Sequence, residues 1–158
     1  MPLIDQKHII KADAAIVFDL ARSIDLHQIS TAHTREKAIA GKTKGLLELH
    51  EQVTWKAKHF GVYQKLTSRM VELEKPKYFV DEMVSGAFKS FRHEHYFEQV
   101  GTTTIMVDKF TYISPFGVLG KWADYLFLKK YMTKFLRQRN LIIKEFAESE
   151  KWKEVFLA

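Results

Sequence analysis

Cysteine is absent from the 158 residues. That excludes disulfides, thiolate metal sites and cysteine nucleophiles, and it suits a reducing cytoplasm, the expected location. Long apolar runs are missing as well, and nothing approaches the roughly 18 consecutive apolar residues of a membrane-spanning helix. The opening MPLIDQKHII mixes acidic and basic groups in alternation, so it is not read as a secretory signal. Chain breakers are scarce, with three prolines and seven glycines, which leaves room for long elements. No internal repeat, low-complexity stretch, serine elbow or redox-cofactor motif is found. Gly41-Lys42-Thr43 has the tail of a phosphate-binding loop, but the position five residues earlier is Glu36 and not glycine, so a nucleotide loop is rejected.

What is present is a globular composition, with 46% apolar and 28% charged residues, suited to a single domain over residues 1–158. The 12 Phe, 6 Tyr and 3 Trp exceed what a small core needs, and a lined pocket or a tightly packed aromatic core accounts for them. A net charge of +6 favours anionic partners, or simply solubility.

Alternation of period two marks a first strand at Leu3–Ile10. Asp13 then caps a short helix (AAIVFDLAR), and Asp25–Ile29 makes a second. His33–Ala40 reads as a weakly patterned second strand. The signal strengthens over Glu51–Phe60, Val62–Leu73, Lys77–Val84, Lys89–Gln99 and Thr102–Ile113, five strands joined by tight turns in an antiparallel meander. Ser114-Pro115 reads as an N-cap with proline at the first helical position, opening one long helix to about Ser149. At 100° per residue, Val118, Trp122, Tyr125, Leu126, Met132, Leu136, Ile143 and Ala147 share one side. Lys129 and Asn140 interrupt that stripe. The order predicts an α+β fold, a curved antiparallel sheet of about seven strands around a long C-terminal helix, with two short helices after the first strand.

This order, with a glycine loop after strand two and a proline-started last helix, resembles the helix-grip fold of the START-like (SRPBCC) superfamily. The stretches Val53–Met70, Pro76–Met83, Gly86–His95 and Thr104–Asp108 are similar to small bacterial single-domain members. The resemblance implies a cavity between sheet and helix for a small hydrophobic or aromatic ligand. It also implies the activities of that superfamily, which range from lipid transport to polyketide cyclases and aromatases.

The faces taken as concave supply the expected ligand contacts: Trp55 on one strand, Leu66 and Met70 on the next, then Phe79 and Met83. Phe91, His93 and His95 follow, then Met106, Asp108 and Phe110, with Trp122, Tyr125 and Leu126 from the helix. His93-x-His95 has a spacing that can chelate a metal, with Asp81 or Asp108 as an oxygen ligand. Hydrogen bonding of these histidines to carboxylates explains the same residues, so neither a metal nor another cofactor is expected. If the chain is an enzyme, Asp81, His93, His95 and Asp108 are the candidate general acids and bases of a cyclase-like reaction. The expectation is instead a non-enzymatic carrier or sensor. Lys129, Lys130, Lys134, Arg137 and Arg139, beside Trp122 and Phe127, suit transient docking on an anionic membrane or a plain solvated face. Basic residues interspersed with acids and no recognition motif argue against nucleic acid.

Overall fold

The computed structural model describes residues 1–157. The period-two segments become seven strands: β1 (Leu3–Ile10), β2 (Lys37–Gly41), β3 (Gln52–His59), β4 (Val62–Glu74), β5 (Tyr78–Ser85), β6 (Ser90–Val100) and β7 (Thr103–Ile113). They pair antiparallel in the order β1-β7-β6-β5-β4-β3-β2, so the last strand of the meander receives the first strand of the chain. In that register Ile4 lies opposite Phe110 and Gln6 opposite Asp108. On β7 every second residue, from Thr104 to Tyr112, is buried. This is the mark of a sheet covered on one face only. Register shifts at Thr67/Ser68 and Met70/Glu72 bend β4 against β5.

Two short helices separate β1 from β2. Asp13 accepts the Ala15 N–H to cap α1 (Ala14–Ala21), and Ser23 accepts the Leu26 N–H to cap α2 (Ile24–Ser30). The expected strand at His33–Ala40 is shorter than predicted. Ala32–Thr34 forms a 3-10 turn, and Arg35 takes a left-handed φ of 56° before β2 begins. The Thr31 and Thr34 hydroxyls donate to the His27 and Thr31 carbonyls, which holds this stretch in a turn.

The C-terminal helix departs from expectation at its start. Ser114 is not the cap: its hydroxyl donates to Asp124, Phe116 turns left-handed, and α3 (Gly117–Ala123) begins after it. Gly120 is required there, because a Cβ would collide with the Pro115 carbonyl oxygen. A π-helical turn at Asp124–Leu128 leads into α4 (Lys129–Glu148), and a short α5 (Lys151–Phe156) follows. The wider turn changes the helical phase, so the stripe projected at a constant 100° splits in two. Met132, Leu136, Ile143 and Ala147 enter the core, whereas Val118, Trp122, Tyr125 and Leu126 are 60–85% exposed.

Two clusters make up the interior. One gathers Phe18, Phe79, Phe97, Met106 and Ile143, and the other Phe91, Phe110, Tyr112, Met132 and Leu136. Phe18 sets its edge against Phe79 and Phe97, with ring centroids 5.5 and 5.3 Å away. Each fully buried aliphatic side chain of α4 contributes about 1.5–3 kcal/mol. The two clusters flank a space that they do not fill.

Candidate functional site

That space is an inner chamber of about 130 Å³ opening into a vestibule of about 690 Å³. Glu36, Trp55, Leu66, Phe88, Met132 and Phe135 line both and form the passage between them. The vestibule is aromatic: Phe60 lies 4.5 Å from Tyr131 and 5.6 Å from Phe127 between ring centroids. His59 Nδ1 and the Tyr131 hydroxyl are 2.6 Å apart at its wall.

Of the residues singled out in the sequence, Trp55, Leu66, Met70, Phe79, Phe91 and Phe110 line the inner chamber, together with Asp81, His93 and His95. Met106 and Asp108 share the same sheet face but lie beneath the lining, 0% and 2% exposed. Met83 packs half-buried against the second cluster and is not part of the wall. Trp122, Tyr125 and Leu126 lie on the outer surface, because the π-turn rotates them away from the sheet. Arg139 is the opposite case. Grouped by sequence with the surface lysines, it is buried and donates to the Ala21 carbonyl and to Asn140 Oδ1.

The polar wall is built by cross-strand pairing. His95 on β6 lies opposite Asp108 on β7, and His93 lies opposite Asp81 on β5. Asp108 accepts from Asn140 Nδ2 at 2.8 Å, His95 Nδ1 lies 2.9 Å from it, His93 Nε2 3.4 Å and Arg139 Nη1 3.5 Å. Burial alone would raise the Asp108 pKa, but His95, His93 and their contacts outweigh it and hold the carboxyl well below its ordinary range. Burial and the neighbouring His95 push His93 down to about 4. Burial also acts to lower His95, but Asp108 and Asp81 overcome it and its pKa is raised. The wall therefore holds an ionised carboxylate, a neutral imidazole and an imidazole that favours its proton. His93, His95 and Asp108 each offer a donor atom, all within 4.8 Å of one another, and are the group that could hold a metal.

Several site residues escaped the sequence reading. Glu36, 8% exposed, meets His27 Nε2 at 3.0 Å where the two chambers join. Burial acts to raise its pKa, but the His27 charge and hydrogen bond prevail and lower it. Phe88 and Phe135 lie in the passage, and Arg139 and Asn140 anchor the polar wall from α4. The usable signal was the polar break at Asn140 in an apolar stripe. Glu36 offered none, since it lies between the Ala32–Thr34 turn and β2, outside any periodic element.

No family model matches the chain, and no curated protein matches it. Among solved structures, protein TTHA0849 of Thermus thermophilus superposes with a TM-score of 0.75 at 16% identity, over 91% of this chain and 95% of that one. A START superfamily protein of Mycobacterium smegmatis gives 0.70 at 11% identity, over 92% and 97%. Major latex-like protein 151 of Panax ginseng gives 0.69 at 13% identity, over 94% and 98%. The chain thus has the helix-grip fold of these structures.

Proposed function

We propose that this chain binds a small hydrophobic or amphipathic molecule between sheet and helix, as a carrier or sensor. The observation that carries this reading is the two-part cavity, apolar through Trp55, Leu66, Phe88 and Phe135 with its polar groups gathered at the inner wall, at Glu36 and at the His59–Tyr131 pair. The apolar body of the ligand fills the passage, and its polar group meets His93 and Asp81. The test is native mass spectrometry of the purified chain with organic extraction, followed by titration with the neutral dye Nile red. A saturable dye site weakened at least about tenfold by Leu66→Trp, which fills the passage, is the expected result. Unchanged dye affinity in that variant, with the fold intact, rejects the reading.

The outer surface of α3 and the π-turn, which adjoin the vestibule residues Phe116 and Leu128, favours a membrane as the source of the ligand. Phe116, Leu119, Trp122 and Tyr125 are 60–85% exposed, and the exposed Lys121, Lys129, Lys130 and Lys134 lie among or just beyond them. Each lysine near an anionic surface contributes about 1 kcal/mol, and the aromatic side chains enter the headgroup region. Co-sedimentation with phosphatidylserine vesicles is expected to fall with salt and with Trp122→Glu. Equal binding to neutral phosphatidylcholine vesicles refutes the electrostatic part.

One observation favours a second reading, a cyclase-like enzyme: a neutral imidazole, His93, stands in the chamber wall beside an ionised carboxylate. It predicts turnover of a polyketide-like or phenolic substrate that His93→Phe abolishes while binding survives.

A further inference from the structure

The polar wall contains four buried atoms without hydrogen-bond partners: Asp81 Oδ1, His93 Nε2, His95 Nδ1 and Asp108 Oδ1. A dry, unpaired polar atom is costly to bury, so several in one place point to an occupant. The atoms on the other side of two of these groups are already engaged. His95 Nε2 is 3.2 Å from Asp81 Oδ2, and Asp108 Oδ2 accepts from Asn140 Nδ2. His95 Nδ1 and Asp108 Oδ1 approach to 2.9 Å yet are not aligned as a hydrogen bond. His93 Nε2 lies 3.4 Å from Asp108 Oδ2 and His95 Nδ1 2.9 Å from Oδ1, so both unpartnered nitrogens converge on one carboxylate.

We propose that His93, His95 and Asp108 form a binding site for a divalent first-row transition ion, with its open position toward the inner chamber. Two imidazole nitrogens and one carboxylate oxygen suit zinc, cobalt or ferrous iron, and they supply too few oxygens for calcium or magnesium. Such ions hold these ligands at about 2.0–2.2 Å, and in a tetrahedral site two such ligand atoms lie about 3.4 Å apart. The observed spread of no more than 4.8 Å therefore needs a closure of up to about 1.4 Å, a movement that rotation of the side chains supplies. Direct pairing of His95 with Asp108 across adjacent strands fixes two of the ligands without a loop. Asp81 behind His95 orients the ring and raises its basicity, as carboxylates commonly do behind a metal-bound histidine. Arg139 opposes a cation, but its 3.5 Å approach is to Asp108 Oδ2, the oxygen already engaged by Asn140. Asp81 and Asp108 together offset its charge. This inference stands apart from the organic ligand, because the ion needs only the wall.

The test uses the full chain stripped with chelator and titrated with Zn²⁺ by calorimetry and with Co²⁺ by visible absorption. Expected are one ion per chain, a cobalt spectrum of low-symmetry nitrogen ligation, and no competition from Mg²⁺. His93→Ala abolishes uptake, and Asp81→Asn weakens it about 10- to 100-fold. Should His93→Ala not fold, His93→Gln, which keeps volume and polarity without the imidazole nitrogen, decides in the same way. Absence of stoichiometric uptake overturns the proposal. Equal affinity in a folded His93 variant also overturns it, since the ion then sits on exposed histidines such as His33 or His50.

Discussion

The rim helix α3 is held to the sheet by few contacts, and the most specific passes through one side chain. The Tyr112 hydroxyl, on a residue 1% exposed, donates to Asp124 Oδ1 at 2.8 Å, and Ser114 donates to the other oxygen of the same carboxylate. Burial and Asp124 both push the Tyr112 pKa up, so the group remains a donor at any ordinary pH. Tyr112→Phe removes this bond and leaves the ring packing in place. A hydrogen bond to a charged acceptor contributes about 1.5–3 kcal/mol, and the half-buried Asp124 recovers part of that from water, which sets the loss near 1.5 kcal/mol. That is roughly tenfold in an opening equilibrium. Because α3 buries only Gly120, the loss falls on local opening of the rim and not on global unfolding. Hydrogen exchange followed by mass spectrometry should show amides of residues 117–128 exchanging about tenfold faster, with β6 amides unchanged. Asp124→Ala, which removes both bonds, should approach a hundredfold. Rim amides at the wild-type rate refute the reasoning, and so does an equal acceleration of rim and β6 amides.

Leu136→Ala empties a position 4% exposed between sheet and helix and should cost about 2–5 kcal/mol in urea unfolding. Asn140→Ala strips the Asp108 carboxylate of its 2.8 Å donor and should cost about 1–3 kcal/mol in the same assay. Glu36→Gln tests the junction of the chambers through pH. The Glu36 pKa is lowered, since the burial that raises it is outweighed by His27, with His59 adding to the effect. Its stabilising contribution is full above the unfolded value near 4.5 and is lost as pH falls through the depressed folded value. Wild type and Glu36→Gln should therefore differ in stability at neutral pH and converge in acid, and a difference that stays constant on acidification rejects the assignment.

Strand faces were legible because burial on one side of a sheet forces a period of two, as the unbroken alternation from Thr104 to Tyr112 shows. Depth along that face was not legible. Phe110 reaches the chamber and Met106 lies beneath it, though they are four residues apart on one strand and equally apolar. Ser114 was misread for a related reason. A serine before proline suits a helix cap, but here its hydroxyl is drawn to Asp124, a partner that only the tertiary fold provides. The π-turn is equally silent in sequence, and missing it sent Trp122, Tyr125 and Leu126 inward when they face solvent.

The most informative positions were those where the apolar pattern failed. His93, His95 and Asp108 interrupt buried strand faces, and Asn140 interrupts the apolar stripe of α4. A buried polar side chain without a partner costs about 1–3 kcal/mol, so four of them in one small core are tolerable only if they meet. They do meet, with Asp108 at the centre and Asn140, His95 and His93 around it, and of these contacts the one from Asn140 is an aligned hydrogen bond. Taken as one set, these four interruptions require β6 and β7 to face the middle of α4, which is the arrangement of the polar wall. In this chain the apolar periodicity specifies the scaffold, and the breaks in that periodicity specify where its chemistry lies.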